Sequence, residues 1–235
     1  MCRLLGIIAK EPVSPKFLLE RFSEFSDDNP DGWGAGWYED NSPKIFKQAV
    51  SAKGAKSKIS QLADRVKSKI IIAHLRAGTG TKLCHSNSHP FKYRNWIFAH
   101  NGSVDREYLI SSLKKKYKKR LRVETDSEAY FYWIIQNIEE SEDVISGVEK
   151  AVKKTIEKKY TGLNFLLSDG KVLYAFRYSK RNSNYYSLYK RKTCNGNMIL
   201  LCSEKLTKGN WKEIKVGSLL MVSSVLGTLE VFIIK

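Results

Sequence analysis

The sequence has few of the residues that mark disulfide-rich, collagen-like or membrane proteins. It contains four cysteines and no C-x-x-C, so neither a zinc ribbon nor a thioredoxin-type site is indicated. Five prolines and fifteen glycines exclude collagen-like and linker-dominated chains. The longest apolar stretch, residues 218–234, is interrupted by polar residues and predicts two strands and a turn rather than a membrane span. A P-loop, a G-x-G-x-x-G element and a Ser-His-Asp signature are also absent.

What remains is a globular composition with a strong positive charge. Hydrophobic residues make up 42% and aromatic residues 11% of 235 residues, which supplies a core and excludes low-complexity disorder. The net charge of +17 invites a nucleic-acid interpretation, but the lysines are scattered, and the densest patch, residues 114–122, is typical of the solvated end of a helix. We therefore expect neither a nucleic-acid nor a membrane partner.

The opening of the chain bears on its location. Residues 1–9 form an apolar run that is too short for the core of a signal peptide, and Lys10-Glu11 ends it. We expect a cytoplasmic protein whose cysteines are mostly reduced.

Hydrophobic patterning predicts one α+β domain over residues 1–235, with strands at both ends and helices between them. Strands are expected at 4–9, 33–38, 44–50, 69–75, 96–100, 163–167, 172–178, 185–189, 198–202, 219–223 and 229–234, and helices near 17–25 and at 57–66, 105–116 and 142–159. Between the last two helices, Thr125-Asp126-Ser127-Glu128 is a capping box that begins another helix. Turns at Ser168-Asp169-Gly170 and Asn195-Gly196 predict antiparallel hairpins.

Cys2 is a candidate nucleophile. Methionine aminopeptidase removes Met1 when the second residue is small, which would leave Cys2 with its thiol and a free α-amine on one residue. An unperturbed α-amine has a pKa of about 7.7–8.0 and can take the proton of a thiol whose pKa is about 8.5. This pairs a nucleophile with its base. On its own, Cys2 is better explained as a small residue at a tolerant terminus.

Three further positions carry groups that suit a polar substrate, although each also has a purely structural explanation. Arg76 follows an apolar strand and can grip a carboxylate, or lie at the surface before a glycine loop. Asn101-Gly102 can form an oxyanion hole from a side-chain amide and a backbone N–H, or a hairpin turn. Asp126 in the capping box can pair with an ammonium group, or merely complement the helix dipole.

A metal site is not expected. Cys84, His85 and His89 lie close together in sequence, but structural zinc needs four ligands and no fourth is visible.

Taken together and in chain order, these elements resemble the class II glutamine amidotransferase domain, a branch of the N-terminal-nucleophile hydrolases. The matching elements are Met1-Cys2, Asn29–Gly34, His74-Leu75-Arg76, Asn87–Phe91, His100-Asn101-Gly102, Thr125–Glu128 and Ser203-Glu204-Lys205-Leu206. The opening and the Asp31-Gly32-Trp33-Gly34 element look most like the small stand-alone branch, which includes γ-glutamyl amidases. Lys205, where the family often has proline, Cys84 and the Gly78-Thr79-Gly80 loop depart from the family pattern and bear on substrate identity.

The resemblance implies a four-layer αββα sandwich of two mainly antiparallel sheets and a γ-glutamyl thioester mechanism without a metal or other cofactor. By carry-over, Cys2 is the nucleophile and its α-amine the base. Arg76 binds the substrate α-carboxylate and Asp126 its α-ammonium, while Asn101 and Gly102 form the oxyanion hole.

Three functions compete at this stage. The first is a self-contained hydrolase of glutamine or a γ-glutamyl amide. The second is a glutaminase subunit that delivers ammonia to a separate synthetase, and a homo-oligomer is also open. The third, a basic non-catalytic nucleic-acid-binding module, leaves the ordered motifs unexplained.

Overall fold

The computed structural model describes residues 2–78, 82–180, 184–223 and 229–234. The strands are β1 (Arg3–Val13), β2 (Gly32–Glu39), β3 (Ser42–Gln48), β4 (Ser68–Arg76), β5 (Phe91–Tyr93), β6 (Trp96–Asn101), β7 (Asn164–Ser168), β8 (Val172–Arg177), β9 (Tyr189–Lys192), β10 (Met198–Cys202), β11 (Lys212–Glu213), β12 (Ser218–Ser223) and β13 (Leu229–Ile233). The α-helices are α1 (Lys16–Ser23), α2 (Lys56–Arg65), α3 (Arg106–Ser112), α4 (Lys115–Lys118), α5 (Asp126–Glu139) and α6 (Val144–Ile156). Among these helices none has the length and apolar character needed to cross a bilayer.

The strands form two sheets in which neighbouring strands run antiparallel. One sheet has the order β11-β9-β10-β1-β4-β2-β3, and the other has the order β13-β12-β8-β7-β6-β5. The predicted hairpins at 168–170 and 195–196 connect β7 to β8 and β9 to β10. The predicted turn between β12 and β13 falls on residues 224–228, outside the described residues.

Three apolar clusters divide the molecule into four layers. One cluster, which includes Leu4, Ile72, Ala99 and Leu166, takes residues from both sheets and lies between them. A second packs α1 and α2 against the outer face of the seven-stranded sheet, and a third packs α3 to α6 against the outer face of the other. Since strand residues alternate between faces, the central strands β1, β4, β6, β7 and β8 each contribute to two of these clusters. The predicted αββα sandwich is confirmed.

Two predicted elements were wrong in detail. The single helix predicted over 105–116 is two helices, α3 and α4, because the backbone at Leu113 and Lys114 is extended and the Lys114 N–H bonds the Gln136 side chain instead of continuing a helix. The strand predicted at 185–189 begins only at Tyr189, and residues 184–186 form a turn. The short strands β5 and β11 were not predicted, since three and two residues carry no readable alternation.

The capping box at the start of α5 forms, with one change. The Thr125 side chain accepts the Glu128 N–H at 3.4 Å, as expected of an N-cap. The Glu128 carboxylate does not return to Thr125; it accepts the N–H groups of Arg122 and Val123 at 2.8 and 2.9 Å. The helix start therefore also fixes the loop that precedes it.

Candidate active site

The pairing of β1 with β4 places Cys2 beside Arg76. Arg3 lies opposite Leu75 and Leu4 opposite His74, so the next position along β1 meets the end of β4. Leu4 and Ile72 face the other sheet. By the two-residue period of a strand, Cys2 and Arg76 face it as well.

The Cys2 thiol is half-buried and held by the backbone of Ala77. The Ala77 N–H donates to Sγ at 3.4 Å, and Sγ lies 3.6 Å from the Ala77 carbonyl oxygen. Burial raises the pKa of the thiol, whereas the Ala77 N–H and the positive charge of Arg76 lower it and Asp126 raises it further. Both charged side chains are therefore within electrostatic range of the sulfur.

The Asn29–Gly34 element explains the position of the chain after Arg76. The Asp31 N–H bonds the Arg76 carbonyl oxygen at 3.1 Å, and the Asp31 carboxylate accepts the Gly78 N–H at 2.6 Å. A side chain at position 78 would stand 3.0 Å from Arg76 Nη2, which favours glycine there. Thr79 and Gly80, the rest of the loop noted in the sequence, lie outside the described residues.

Asn101 and Gly102 lie at the end of β6, across the inter-sheet space from β4. Asn101 is 1% exposed, and within the described residues its Nδ2 has no hydrogen-bond partner. A buried amide donor of this kind is rare unless a ligand or water completes it. Gly102 has φ +143, and a Cβ there would collide with the Gly162 carbonyl. The backbone forms no tight hairpin at this point, because β6 pairs with β7, more than sixty residues further along.

Asp126 begins α5 and is half-buried. Its Oδ2 accepts the Val104 N–H at 2.8 Å, which ties the segment after Gly102 to the helix. Its Oδ1 has only a 3.4 Å contact with the Ser127 hydroxyl. A carboxylate can accept about four hydrogen bonds, so capacity for a substrate cation remains.

Two buried histidines connect these elements. His74 Nε2 lies 3.2 Å from the His100 carbonyl oxygen, and His100 Nε2 lies 3.1 Å from the Gly162 carbonyl oxygen. Because a carbonyl only accepts, both rings carry their proton on Nε2. Burial lowers the pKa of His74 to about 3 and lowers that of His100 too, so both are neutral at pH 7. His74 thereby joins the two sheets, and His100 joins β6 to the segment before β7 within one sheet.

Tyr186 is a site residue that sequence reasoning missed. Its ring covers Gly162, where a Cβ would come within 2.5 Å of the ring carbons. Burial raises the pKa of Tyr186, and negative charge on Cys2 raises it further. The Asn164 amide holds the Tyr186 carbonyl oxygen at 2.9 Å. No signal short of the tertiary fold could have found it.

The late motif anchors the N-terminal strand. The Ser203 hydroxyl accepts the Leu4 N–H at 3.0 Å, and Glu204 pairs with Arg3 at 2.9 Å. Lys205, which departs from the family pattern, places its Nζ 5.2 Å from the centre of the Tyr189 ring. This motif therefore acts on the strand that carries Cys2 and not on the substrate head group.

The residues considered for a metal site do not converge. His89 is buried and stacks on His74 with ring centres 4.2 Å apart, while His85 is exposed and Cys84 contacts Ser86. In the described part of the chain, no three His, Cys, Asp or Glu residues form a group that could hold a metal.

Comparisons with known proteins identify a family and a fold. The family model "Glutamine amidotransferases class-II" matches residues 1–186. A probable glutamine amidotransferase of Saccharomyces cerevisiae, DUG3, is 25% identical over 94% of this chain and 82% of its own length. A gamma-glutamyl-hercynylcysteine sulfoxide hydrolase of Mycobacterium tuberculosis is 35% identical over 46% of this chain and 52% of its own. A glutamine aminotransferase class-II domain protein from Silicibacter pomeroyi shares the fold over both full chains, with a TM-score of 0.74 and 22% identity.

Proposed function

This chain belongs to the class II glutamine amidotransferases, and we propose that it hydrolyses the γ-amide of glutamine or of a larger γ-glutamyl compound through a thioester on Cys2. The proposal depends on the groups that surround the Cys2 thiol. Cys2 lies within electrostatic range of one cation, Arg76, and one anion, Asp126. The Asn101 amide is buried, and within the described residues its Nδ2 has no hydrogen-bond partner; it ends the strand on the facing sheet. We call these four residues with Gly102 the Cys2 cleft.

The groups of the cleft match the head of a γ-glutamyl substrate. Arg76 can bind the α-carboxylate through a two-pronged, charge-assisted contact. The free oxygen capacity of Asp126 can accept the α-ammonium. These two contacts fix the amino-acid end of the substrate and leave its amide directed toward the sulfur.

The proposed reaction has two stages, formation of the thioester and its hydrolysis. The α-amine of Cys2, freed by removal of Met1, takes the thiol proton, and the sulfur attacks the γ-amide carbon. The Asn101 amide and the Gly102 N–H donate to the resulting oxyanion. Collapse breaks the C–N bond, and the proton passes to the departing ammonia or amine. Water next adds to the thioester, breaks the C–S bond and returns the thiol, releasing glutamate. Met1 lies outside the described residues.

The mycobacterial relative supports the wider substrate class, because its name assigns it a γ-glutamyl substrate that is not glutamine. An alternative within the same chemistry is a glutaminase subunit that passes ammonia to a separate synthetase. The purified protein alone distinguishes the two: turnover of γ-glutamyl amides supports the hydrolase, and silence until a partner is added supports the subunit.

The chemistry is tested by labelling with diazo-oxonorleucine, a glutamine-analogue electrophile, followed by intact-mass and peptide mass spectrometry. We expect one adduct, on a Cys2 that has become the N-terminal residue. Cys84→Ser is the matched control, because Cys84 is a thiol whose pKa is lowered by its hydrogen bond to Ser86 and is the strongest competitor. Labelling that disappears in Cys84→Ser, or active protein that retains Met1, would overturn the proposal.

A further inference from the structure

A second cavity, of about 270 Å³, opens at one edge of the sandwich. Its walls come from β3 and β5, which are the last strands of their respective sheets, and from the first half of α5. None of the five residues of the Cys2 cleft lines it. We call it the edge cavity, defined by Lys47, Lys92, Arg120, Arg122 and Glu128.

The edge cavity collects four cations that form no ion pair within the described residues. Within the described residues, no ion pair joins Lys47, Lys92, Arg120 or Arg122 to a carboxylate. Nearby basic residues differ in this respect. Arg94 and Lys116 pair with Glu139, and Lys114 pairs with Glu140. Among the described residues, the basic side chains beside the cavity are thus paired with carboxylates, whereas the four that line it are not.

The one carboxylate in the wall is already engaged. Glu128 accepts two backbone N–H groups through Oε2 and so holds the loop that carries Arg122. With four cations and one anion, the lining carries a net charge of +3 when all its groups are ionised.

Lys47, one of the four cations, is partly shielded from water. Its Nζ bonds the Ser86 carbonyl oxygen at 3.1 Å and lies 4.9 Å from the centre of the Phe91 ring. Burial lowers its pKa to about 8, although Glu128 raises it. An anion beside Lys47 would therefore meet a cation that water solvates poorly, where charge pairing is stronger than at an open surface. Lys92, Arg120 and Arg122 are exposed and add their charge from the rim of the cavity. Phe91, Phe131 and Tyr132 complete the wall with apolar surface.

We propose that the edge cavity binds a small organic phosphate, with the phosphate group among the four cations and an apolar or aromatic part against the three rings. Arginine and lysine together suit a doubly charged oxyanion, since arginine supplies paired donors and lysine a compact charge. The volume is near the lower end for small-ligand pockets, which limits the ligand to about the size of a phosphomonoester with one ring. The site is separate from the Cys2 cleft and does not depend on the proposed hydrolysis.

The test is calorimetric titration of the full-length protein with phenyl phosphate, inorganic phosphate and benzoate. We expect saturable 1:1 binding of phenyl phosphate that is at least fivefold tighter than that of either comparison ligand, since each supplies only one half of the recognition. Equal affinity for phenyl phosphate and inorganic phosphate, or no saturation, would overturn the proposal.

Charge-reversal variants locate the site. In Lys92→Glu/Arg120→Glu we expect at least a tenfold loss of affinity for phenyl phosphate. The matched control is Lys190→Glu/Lys212→Glu, which alters a second basic cavity at the opposite edge of the seven-stranded sheet by the same amount of charge. Retained binding in the control supports the proposal. An equal loss in both variants would show that net charge alone attracts the anion, and would overturn it.

Discussion

The space between the two sheets has an apolar part and a polar end, and the same strands build both. Along β4, Ile70 and Ile72 belong to the inter-sheet core, whereas His74 and Arg76 face the same way and carry polar groups. Along β6, Ile97 and Ala99 are core residues and Asn101 is not. The switch occurs on all of these strands at the end nearest Cys2. The apolar part fixes the distance between the sheets. At the polar end, groups on the two sheets therefore face each other across a narrow space.

This division predicts that substitutions at the two ends fail in different ways. In the apolar part they should reduce the free energy of unfolding and leave the activity of the folded fraction intact. At the polar end they should reduce the activity of the folded protein, whatever they cost in stability, because these residues supply the proposed reactive groups.

Cys2→Ala should reduce glutamine or γ-glutamyl amide hydrolysis by at least about 10³-fold, since the proposed intermediate forms on this sulfur. Its midpoint of thermal unfolding should change little, because the side chain is small and half-buried. Cys202→Ala is the matched control. Cys202 is fully buried, in the cluster beneath α1 and α2, and burial raises its pKa to about 12. That variant should lose about 1 kcal/mol of stability and keep its turnover per folded molecule. Hydrolysis retained in Cys2→Ala would contradict the difference expected between the apolar part and the polar end.

Gly102→Ala should cost about 3 kcal/mol or more in unfolding free energy, and activity as well. Its φ of +143 strains any L side chain, and the new Cβ would meet the rigid Gly162 carbonyl. Gly6→Ala sharpens the comparison, because the Cβ there would meet the side-chain methyl groups of Leu166 and Leu173 at 3.1 and 3.0 Å. We expect a cost of about 1–2 kcal/mol and no change in KM for Gly6→Ala. Chemical denaturation measures both, and equal losses would contradict the structural assignment.

Arg76→Ala should raise KM by on the order of 30- to 1000-fold, equivalent to about 2–4 kcal/mol, because the substrate carboxylate would be left without its partner. Steady-state kinetics with glutamine measure the change, and a substrate lacking the α-carboxylate should be affected much less. Lys92→Ala, at the edge cavity, is the control for the loss of one positive charge and should leave KM unchanged. An unaltered KM in Arg76→Ala would remove this residue from substrate binding.

The sequence predicted most strands and helices because they depend on local signals, whereas the four-layer arrangement followed from the resemblance to a family. Buried strands such as β4 show as apolar runs, and the capping box marks the start of α5. The grouping of Cys2 with Arg76 and Asp126 came from resemblance to a family, and the strand register of β1 and β4 supplies a physical cause for the neighbouring positions of Cys2 and Arg76 alone.

The parts that escaped prediction depend on long-range contacts. Tyr186 covers Gly162 from a turn where hydrophobic patterning had predicted a strand. Lys47 becomes partly buried only because β3 and β5 end their sheets at the same edge. The break between α3 and α4 depends on Gln136 of α5, which takes the N–H of Lys114. Nothing within ten residues of these positions encodes such contacts.

Acid should lower the free energy of unfolding through the buried histidines near the polar end. The pKa of His74 is about 3 in the fold and about 6.5 in an unfolded chain, and that of His89 is also lowered well below its ordinary value by burial. Between these limits the unfolded state binds more protons, so stability falls as the pH drops below about 6.5. His89→Phe should flatten this dependence by up to about 1.4 kcal/mol per pH unit, since neither ring nitrogen of His89 has a partner within the described residues. Denaturant titrations at pH 7, 6 and 5 measure it. The same slope in His89→Phe as in the parent would contradict the assignment, whereas exposed His85→Gln should change nothing.

Lys47→Met should increase stability at pH 7 by about 1 kcal/mol, a figure reduced to allow for its partial exposure. The pKa of Lys47 is about 8 in the fold and about 10.4 in an unfolded chain. At pH 7 both states are protonated and the fold carries the cost of a poorly solvated charge. Between pH 8 and 10.4 the parent recovers that stability, so the advantage of the variant should shrink there. Lys44→Met, an exposed position on the same strand, is the control and should show no gain. If the variant is more stable than the parent but no longer binds phenyl phosphate, Lys47 supports ligand binding at a cost in stability. If the variant is less stable than the parent, Lys47 stabilises the fold.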